Sequence, residues 1–335
     1  MRSKNLIERK VKKTLKNRPL EEDLMSYKDL NVYRKNEIHD KHLRDSKGIF
    51  GEMPIFSNID FSLCGLCNRK CVFCPFSNPK VYPNKKEYIT LELYSKIVDE
   101  LEKYNYSGLI TFSGYSEPFM HKKLFELVKI TKEKLPNSKL EINTNGDMLN
   151  PKKIRDLYEL KLNSILVSMY DGPKQISYFE KMIKKANVGN KFVILRKRYL
   201  SEDNSYGINL SNRAGTTSKL ISKGLLKKKY TLKHKCFFTH YMLMIDHDGR
   251  VLLCSHDWIK KASVGDLNKE SLFEVWTGPK MRKYRLALGK GQRSFSPCNN
   301  CNVLGTLEGR KHYESWTKYY EKNNLWNFLL LILLL

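Results

Sequence analysis

Cys64-Gly-Leu-Cys67-Asn-Arg-Lys-Cys71-Val-Phe-Cys74 packs four cysteines into eleven residues, directly behind an apolar run at 55–61. The other four of the chain's eight cysteines, at 236, 254, 298 and 301, are spread over the last third. Clustering this tight argues for metal rather than disulfides, since cysteines two or three residues apart do not close a relaxed disulfide, and the usage suits a reducing cytoplasm. Zinc and iron–sulfur are the two candidates. A zinc site would take Cys64, Cys67, Cys71 and Cys74 together. The alternative is Cys67-x3-Cys71-x2-Cys74, three thiolates on one loop with Phe73 just before the last. Three thiolates leave the fourth iron of a cubane without a protein ligand. Such an iron can bind a small chelating molecule through amine and carboxylate groups. Cys64 is then either a spare buried thiol or a redox-active neighbour.

Outward from this stretch the chain repeats one unit: an apolar β-type run, a polar loop, then a helix-patterned segment. The runs fall at 55–61, 109–112, 140–143, 164–168, 192–195 and 207–210. Helical apolar spacing lies between them, as in Leu91, Leu93, Ile97, Val98 and Leu101, or Leu124, Leu127, Val128 and Ile130. Strand–helix alternation of this kind predicts a parallel sheet with right-handed crossovers, and ligand groups in such sheets sit at the C-terminal strand ends.

Composition sets the outer limits. With 335 residues, 41% of them apolar, the chain can bury a real core, which excludes wholesale disorder. It has no apolar stretch of about 20 residues, which excludes a conventional membrane span. Residues 1–20 are basic and lack the apolar segment of a secretory signal, so the expected location is cytoplasmic. The formal charge of +26 is dispersed over several short runs, among them Lys280 to Arg285, and is carried more by Lys than by Arg. That pattern reads as a solvated basic surface rather than a polyanion site, because phosphate and base recognition favour the planar guanidinium. A basic nucleic-acid-binding protein with structural zinc stays as the reading from a different class; it leaves the ordered strand-end loops below without a purpose.

Behind the second run comes Ser113-Gly114-Tyr115-Ser116-Glu117-Pro118, behind the third Asn143-Thr144-Asn145-Gly146, and the fourth ends Val167-Ser168-Met169-Tyr170-Asp171-Gly172. The fifth ends Ile194-Leu195-Arg196-Lys197-Arg198, and the sixth leads into Asn209-Leu210-Ser211-Asn212-Arg213-Ala214-Gly215. Taken in this order behind the C-x3-C-x2-C loop, the elements resemble those of the radical S-adenosylmethionine (SAM) superfamily. The resemblance implies a partial (β/α)6 TIM-like barrel, with a 4Fe–4S cluster on Cys67, Cys71 and Cys74 and SAM on its open iron. It implies cofactor contacts at Phe73, Gly114, Ser116, Glu117, Asn145, Ser168, Asp171 and Arg196. Tyr115-Ser116 stands where the family's "GGE" element usually has a second glycine, and the Ser168-to-Asp171 ending is one residue longer than usual.

The last third carries a second signature. Cys236 is followed after a dozen residues by Gly249-x4-Cys254, and apolar runs at 241–245 and 251–253 flank Asp246-His247-Asp248-Gly249 as a β-hairpin would. Pro297-Cys298-Asn-Asn-Cys301 closes the pattern. It resembles the SPASM/Twitch extension, which implies one auxiliary 4Fe–4S cluster on Cys236, Cys254, Cys298 and Cys301; a structural zinc is the alternative. Four cysteines are the full complement of a cube and leave no open iron. In peptide-oxidising relatives an acidic residue follows the matching cysteine as base. Here Ser255 takes that place, with His256 or Asp257 as either substitute bases or mere hydrogen-bond partners of the hairpin.

The expected organisation is therefore an α/β chain with a basic arm or cap at 1–52, a radical SAM core at 53–220, a small hairpin-and-helix auxiliary domain at 230–310, and a C-terminal helix with an apolar tail at 311–335. That tail either packs on the barrel, touches a membrane surface, or does neither. The implied activity is reductive cleavage of SAM, fed by a flavodoxin- or ferredoxin-type donor, to a 5′-deoxyadenosyl radical that abstracts hydrogen from a sugar-like or other small polar alcohol or amine. The auxiliary cluster would accept the product electron. A peptide-modifying maturase is the alternative within the class.

Overall fold

The computed structural model describes residues 30–47, 50–189, 191–199, 211–217 and 232–333. Five short strands, β1 (Asn58–Phe61), β2 (Leu109–Phe112), β3 (Lys139–Thr144), β4 (Ser164–Met169) and β5 (Val193–Lys197), pair in parallel in chain order. Every residue of β1, β2 and β4 is buried. Burial on both faces is what a parallel sheet covered by crossover helices requires, and it accounts for the unbroken apolar runs. The expected sixth run, at 207–210, lies outside the described residues.

The crossovers are α2 (Leu91–Lys103), α3 (Leu124–Lys134), α4 (Pro151–Glu159) and α5 (Lys174–Ala186). Local chemistry sets their ends. The Thr90 hydroxyl accepts from the Leu93 amide (3.1 Å) to start α2, and Asn150 with Pro151 behind it starts α4. Asn187, at φ 53°, ends α5 in the left-handed conformation that Asn tolerates. Tyr94, Ile97, Val98 and Leu101 form the buried stripe of α2, as the 3.6-residue period predicts.

The C-terminal hairpin does not stand apart from this sheet. A single turn, α6 (Phe238–Tyr241), leads into β6 (Met242–Ile245), which pairs in parallel with β1 from Asn58↔Met242 to Phe61↔Ile245. β7 (Arg250–Leu252) and β8 (Ser263–Asp266) then follow antiparallel, giving the order β5-β4-β3-β2-β1-β6-β7-β8. β1 is thus central, and the cysteine loop behind it emerges between the two cysteine-bearing halves of the chain.

At the opposite, N-terminal end of the strands lies α1 (Leu30–Asp45). His39 Nδ1 is 3.0 Å from the Ser57 hydroxyl, and Asn36 donates to the Leu307 carbonyl (2.7 Å) while accepting from the Gly309 amide (3.1 Å). This part of the basic N-terminus covers the sheet. Among the described residues no helix is long and apolar enough to cross a membrane.

One residue of the 280–285 charge run departs from the solvated surface expected for it. Arg285, on α8 (Pro279–Gly289) behind the short α7 (Leu272–Thr277), is 1% exposed. Its guanidinium lies 4.3 Å from the Trp276 ring and 3.8 Å from that of Trp316, on α9 (Arg310–Leu333). It donates to the Thr239 and Trp276 carbonyls (2.8 and 3.0 Å) and to the Tyr320 hydroxyl (3.1 Å). Arg285→Met is expected to lower stability by about 3 kcal/mol, because buried carbonyls lose their donors and the cation–π sandwich is lost. A denaturant midpoint unchanged from the parent protein would refute that role.

Candidate active site

The loop from Ser62 to Cys74 is held open by its surroundings rather than by its own hydrogen bonds. Cys64 forms a β-bridge with Tyr88, and the Gly65 and Lys85 amides donate to the carbonyls of Glu87 and Gly65 (2.9 Å each). Asn84 clamps Cys67, accepting from its amide (2.8 Å) and donating to its carbonyl (3.2 Å). The Cys74 amide donates to the Cys71 carbonyl (2.9 Å), after which Pro75–Ser77 turns the chain away. Arg69, between Cys67 and Cys71, is the clasp: it donates to Asp147 behind β3 (Nε, 2.6 Å) and to both Asp171 oxygens behind β4 (2.8 and 2.7 Å). Its guanidinium also lies 5.3 Å from the Tyr170 ring.

These loops enclose a cavity of about 320 Å³ at the C-terminal strand ends. The structure brings Cys67, Cys71 and Cys74 onto its wall together with Phe73, Gly114, Ser116, Glu117, Asn145, Ser168 and Arg196. Asp171, the eighth residue expected to contact the cofactor, does not line this wall. Its side chain is 58% exposed and its carboxylate closes on Arg69, so it fixes the cysteine loop instead of facing the cavity.

Gly114 and Glu117 show why the loop behind β2 has its sequence. Gly114 has φ +62°, a conformation that favours glycine, and a Cβ there would also force the Met244 methyl, 2.5 Å away, to move. Glu117 is buried and accepts from the Thr144 hydroxyl (2.7 Å) and from the Asn145 and Phe119 amides (2.8 and 3.1 Å). Burial outweighs these donors and pushes its carboxyl up to about 7. Between β4 and β5, Arg196 donates to the Ser168 hydroxyl (3.0 Å), directly across the strand register.

The donor set fits an iron–sulfur group. Burial pushes the Cys67 and Cys71 thiols up to about 12 and raises Cys74 as well; in Cys67 and Cys71 neighbouring thiolates add to the rise. Three adjacent thiolates are disfavoured here without a compensating cation, which metal binding supplies. Cys64 is fully buried, with its Sγ near the Leu66 and Glu117 carbonyls (3.7 and 3.8 Å). On the cavity wall the buried Asn143 Oδ1 has no partner among the described residues, an acceptor ready for a ligand donor.

The far wall comes from the last third of the chain. Cys254 is raised by burial and then by Cys298, Cys301 and Cys236, so the four thiols share one neighbourhood. Arg293 ties it together, donating to the carbonyls of His234 (2.9 Å), Lys235 (3.0 Å), Val303 (2.7 Å) and Leu304 (2.7 Å), and its charge opposes the rise in Cys236, Cys298 and Cys301. A Cβ at Gly305 (φ +72°) would run into the Cys236 sulfur. No motif in the sequence pointed to Arg293 or Gly305.

Tyr170, Arg198 and Ser255 also line the cavity, as does Arg213 from the Asn-Arg-Ala-Gly turn, all within stretches the sequence marked; Trp258 lines it without any such signal. Arg213 and Ala214 both hold positive φ (47° and 53°), a strained backbone kept in place by reciprocal bonds between Asn212 and Asn302 (2.8 and 3.3 Å) and by Asn212 on the Asn300 carbonyl (2.7 Å). Arg213 thereby reaches between the cysteine groups, close enough to favour the Cys74 and Cys301 thiolates, with Nη1 3.2 Å from His256 Nδ1. The Asp257 carboxylate is taken up by the Lys261 and Ala262 amides (3.1 and 2.8 Å), so it closes a turn; of Ser255, His256 and Asp257 it is Ser255 that lines the cavity.

A parallel α/β sheet whose strand-end cavity is walled by three clustered thiols, and on the far side by Ser255 and Trp258 beside a second group of four cysteines, is the arrangement of an iron–sulfur enzyme. The chain carries a radical SAM superfamily domain, matched over residues 61–195, and an iron–sulfur cluster-binding domain, SPASM, matched over residues 236–302. It is 28% identical over 263 residues to the S-adenosyl-L-methionine-dependent 2-deoxy-scyllo-inosamine dehydrogenase of Niallia circulans, covering 78% of this chain and 98% of that protein. It is 26% identical over 179 residues to a tungsten-containing aldehyde ferredoxin oxidoreductase cofactor-modifying protein of Pyrococcus furiosus, covering 46% and 49%. The solved structure of BtrN in complex with AdoMet and 2-DOIA superposes with a TM-score of 0.61 at 26% identity, covering 76% of this chain and 97% of that one. The protein is accordingly a radical SAM enzyme of oxidoreductase type, with SAM, a 4Fe–4S cluster and auxiliary iron–sulfur as cofactors.

Proposed function

We propose that this enzyme oxidises a small, sugar-like polar alcohol, with Cys67, Cys71 and Cys74 holding the SAM-binding cluster and Cys236, Cys254, Cys298 and Cys301 holding one auxiliary cluster. When bound, the first cluster supplies the electron that cleaves SAM to methionine and a 5′-deoxyadenosyl radical, which takes hydrogen from the substrate. The chain's own residues do the placing. The backbone at 113–117, Asn143 and Asn145 offer acceptors and donors to the methionyl and ribose ends of SAM; Ser168 and Arg196 suit its carboxylate. Arg213, Trp258 and Ser255 stand toward the auxiliary side, where a substrate hydroxyl would lie between the two centres. The supporting observation is that one cavity is walled by both the three-cysteine loop and the residue next to Cys254. Likeness to the inosamine dehydrogenase over nearly its whole length favours a cyclic polyol substrate.

Anaerobic incubation with SAM and dithionite tests the core chemistry. 5′-Deoxyadenosine should form, by protein that carries about eight irons and eight sulfides per chain, as two cubanes require. Intact clusters with no such product would overturn the reading.

We assign the electron donor to the flavodoxin or ferredoxin type on the charge around the cysteine loop. Lys70, Lys80, Lys85 and Lys86 are exposed on the loop and on the segment that Asn84 clamps over Cys67. Among the described residues Lys70, Lys80 and Lys86 make no ion pair, so this surface presents uncompensated positive charge next to the cluster. An acidic carrier fits it. Lys70→Glu combined with Lys86→Glu should slow reduction by such a carrier about tenfold or more at low salt while leaving dithionite-driven turnover intact. Equal slowing with both reductants would exclude the docking role. A reducing, cytoplasmic setting suits eight free thiols.

A further inference from the structure

The loop behind β2 and the loop that carries Cys254 meet at a single side chain. Tyr115 is fully buried and its hydroxyl donates to the Cys254 carbonyl (2.8 Å). Its ring packs against Trp258 (centroids 4.7 Å apart) and Tyr82 (6.1 Å). Phe76, two residues beyond Cys74, closes the array against Tyr82 (4.9 Å) and Trp258 (5.8 Å). Lys260 stands 5.8 Å from the Tyr115 ring and 5.2 Å from that of Tyr82, anchored by the buried Asp246 (2.5 Å). The neighbours of Tyr115 in the chain, Gly114 and Ser116, line the cavity. A glycine at 115 could make none of these contacts. One phenol therefore joins the backbone that cradles the cavity to the backbone of a cysteine in the other group.

We propose that Tyr115 is a positioning residue that couples SAM binding to the redox potential of the auxiliary cluster. The inference rests on the reading of Cys236, Cys254, Cys298 and Cys301 as that cluster's ligands. Hydrogen bonds and dipoles next to cluster ligands tune potential, and the Cys254 carbonyl is such a dipole, partly neutralised by the Tyr115 hydroxyl. A ligand settling on residues 113–117 presses on the phenol and alters that bond. A tighter bond from the Tyr115 hydroxyl draws electron density from the Cys254 carbonyl, so SAM binding transmitted through it should favour the reduced cluster and raise the potential. Coupling of this kind is reciprocal: reduction of the auxiliary cluster should tighten SAM binding by the corresponding factor.

The test is an anaerobic redox titration of the intact enzyme, followed by electron paramagnetic resonance, with and without SAM. It compares the parent protein with Tyr115→Phe, which keeps the ring and removes only the donor, and with Trp258→Phe, which keeps the hydrogen bond. SAM should move the auxiliary midpoint upward in the parent and in Trp258→Phe. In Tyr115→Phe less than half of that shift should remain, with iron content and SAM binding to the oxidised enzyme preserved. An equal shift in Tyr115→Phe, or no shift in the parent protein, overturns the coupling. Iron sufficient for one cluster only would instead sink the auxiliary-cluster reading, and this inference with it, so the two failures are told apart by iron analysis.

Discussion

Cys71→Ala should reduce 5′-deoxyadenosine formation to background and lower iron from about eight to about four per chain. Cys71 sits at the centre of the loop, and its neighbours cannot stand in for it. Cys64, the only other thiol of the cluster of four in sequence, is bridged to Tyr88 and has its sulfur near the Leu66 and Glu117 carbonyls. Cys64→Ala should therefore keep its iron and its SAM cleavage, at a cost of about 1 kcal/mol for the small cavity left behind. The pair of variants separates the two ways of reading the four cysteines. Loss of cofactor in both would mean that all four are ligands, which leaves no vacant iron for SAM; the proposed chemistry would then fail.

Cys298→Ala should have an equally large effect on a different observable. It removes a ligand from the group that Arg293 gathers, so the auxiliary cluster should be lost while the cluster at the other wall survives. SAM should still be cleaved, in a slow reaction without oxidised product, and oxidation of the alcohol should disappear. The sign follows from electron balance: abstraction of one hydrogen atom leaves a substrate radical, and loss of a proton and a second electron completes the carbonyl. Without a resident acceptor the second electron has no outlet. Product analysis decides the matter, and continued stoichiometric oxidation by Cys298→Ala would show that the second cysteine group is structural.

The sequence carried the fold in its periodicities. Runs at 109–112 and 164–168 became strands because continuous apolarity is what a doubly covered strand needs, and the α2 stripe followed from its spacing. The cysteine loop and the Gly114, Glu117 and Asn145 turns were legible because each depends on local chemistry: a thiol spacing, a positive φ, a strand-end acceptor. What stayed hidden depends on contacts distant in sequence. Asp171 looked like a ligand contact until Arg69, 102 positions earlier, proved to occupy its carboxylate. Arg285 and Arg293 sit among exposed basic residues in the sequence, and only tertiary packing separates them from solvent. The pairing of β6 with β1 joins residues more than 180 positions apart, which no local pattern encodes.

That pairing bears on how the protein is made. While the ribosome is still translating the chain up to residue 241, β1 keeps one flank with its amides and carbonyls unsatisfied, apart from whatever covers it transiently. Nascent protein is at that stage an open template for strand addition by other copies. Arrival of residues 242–245 seals the flank and in the same movement brings Cys254 within reach of the first cysteine loop. The second cysteine group is complete only once residue 301 has been made, and a chain released before residue 242 would carry an open strand edge prone to aggregation.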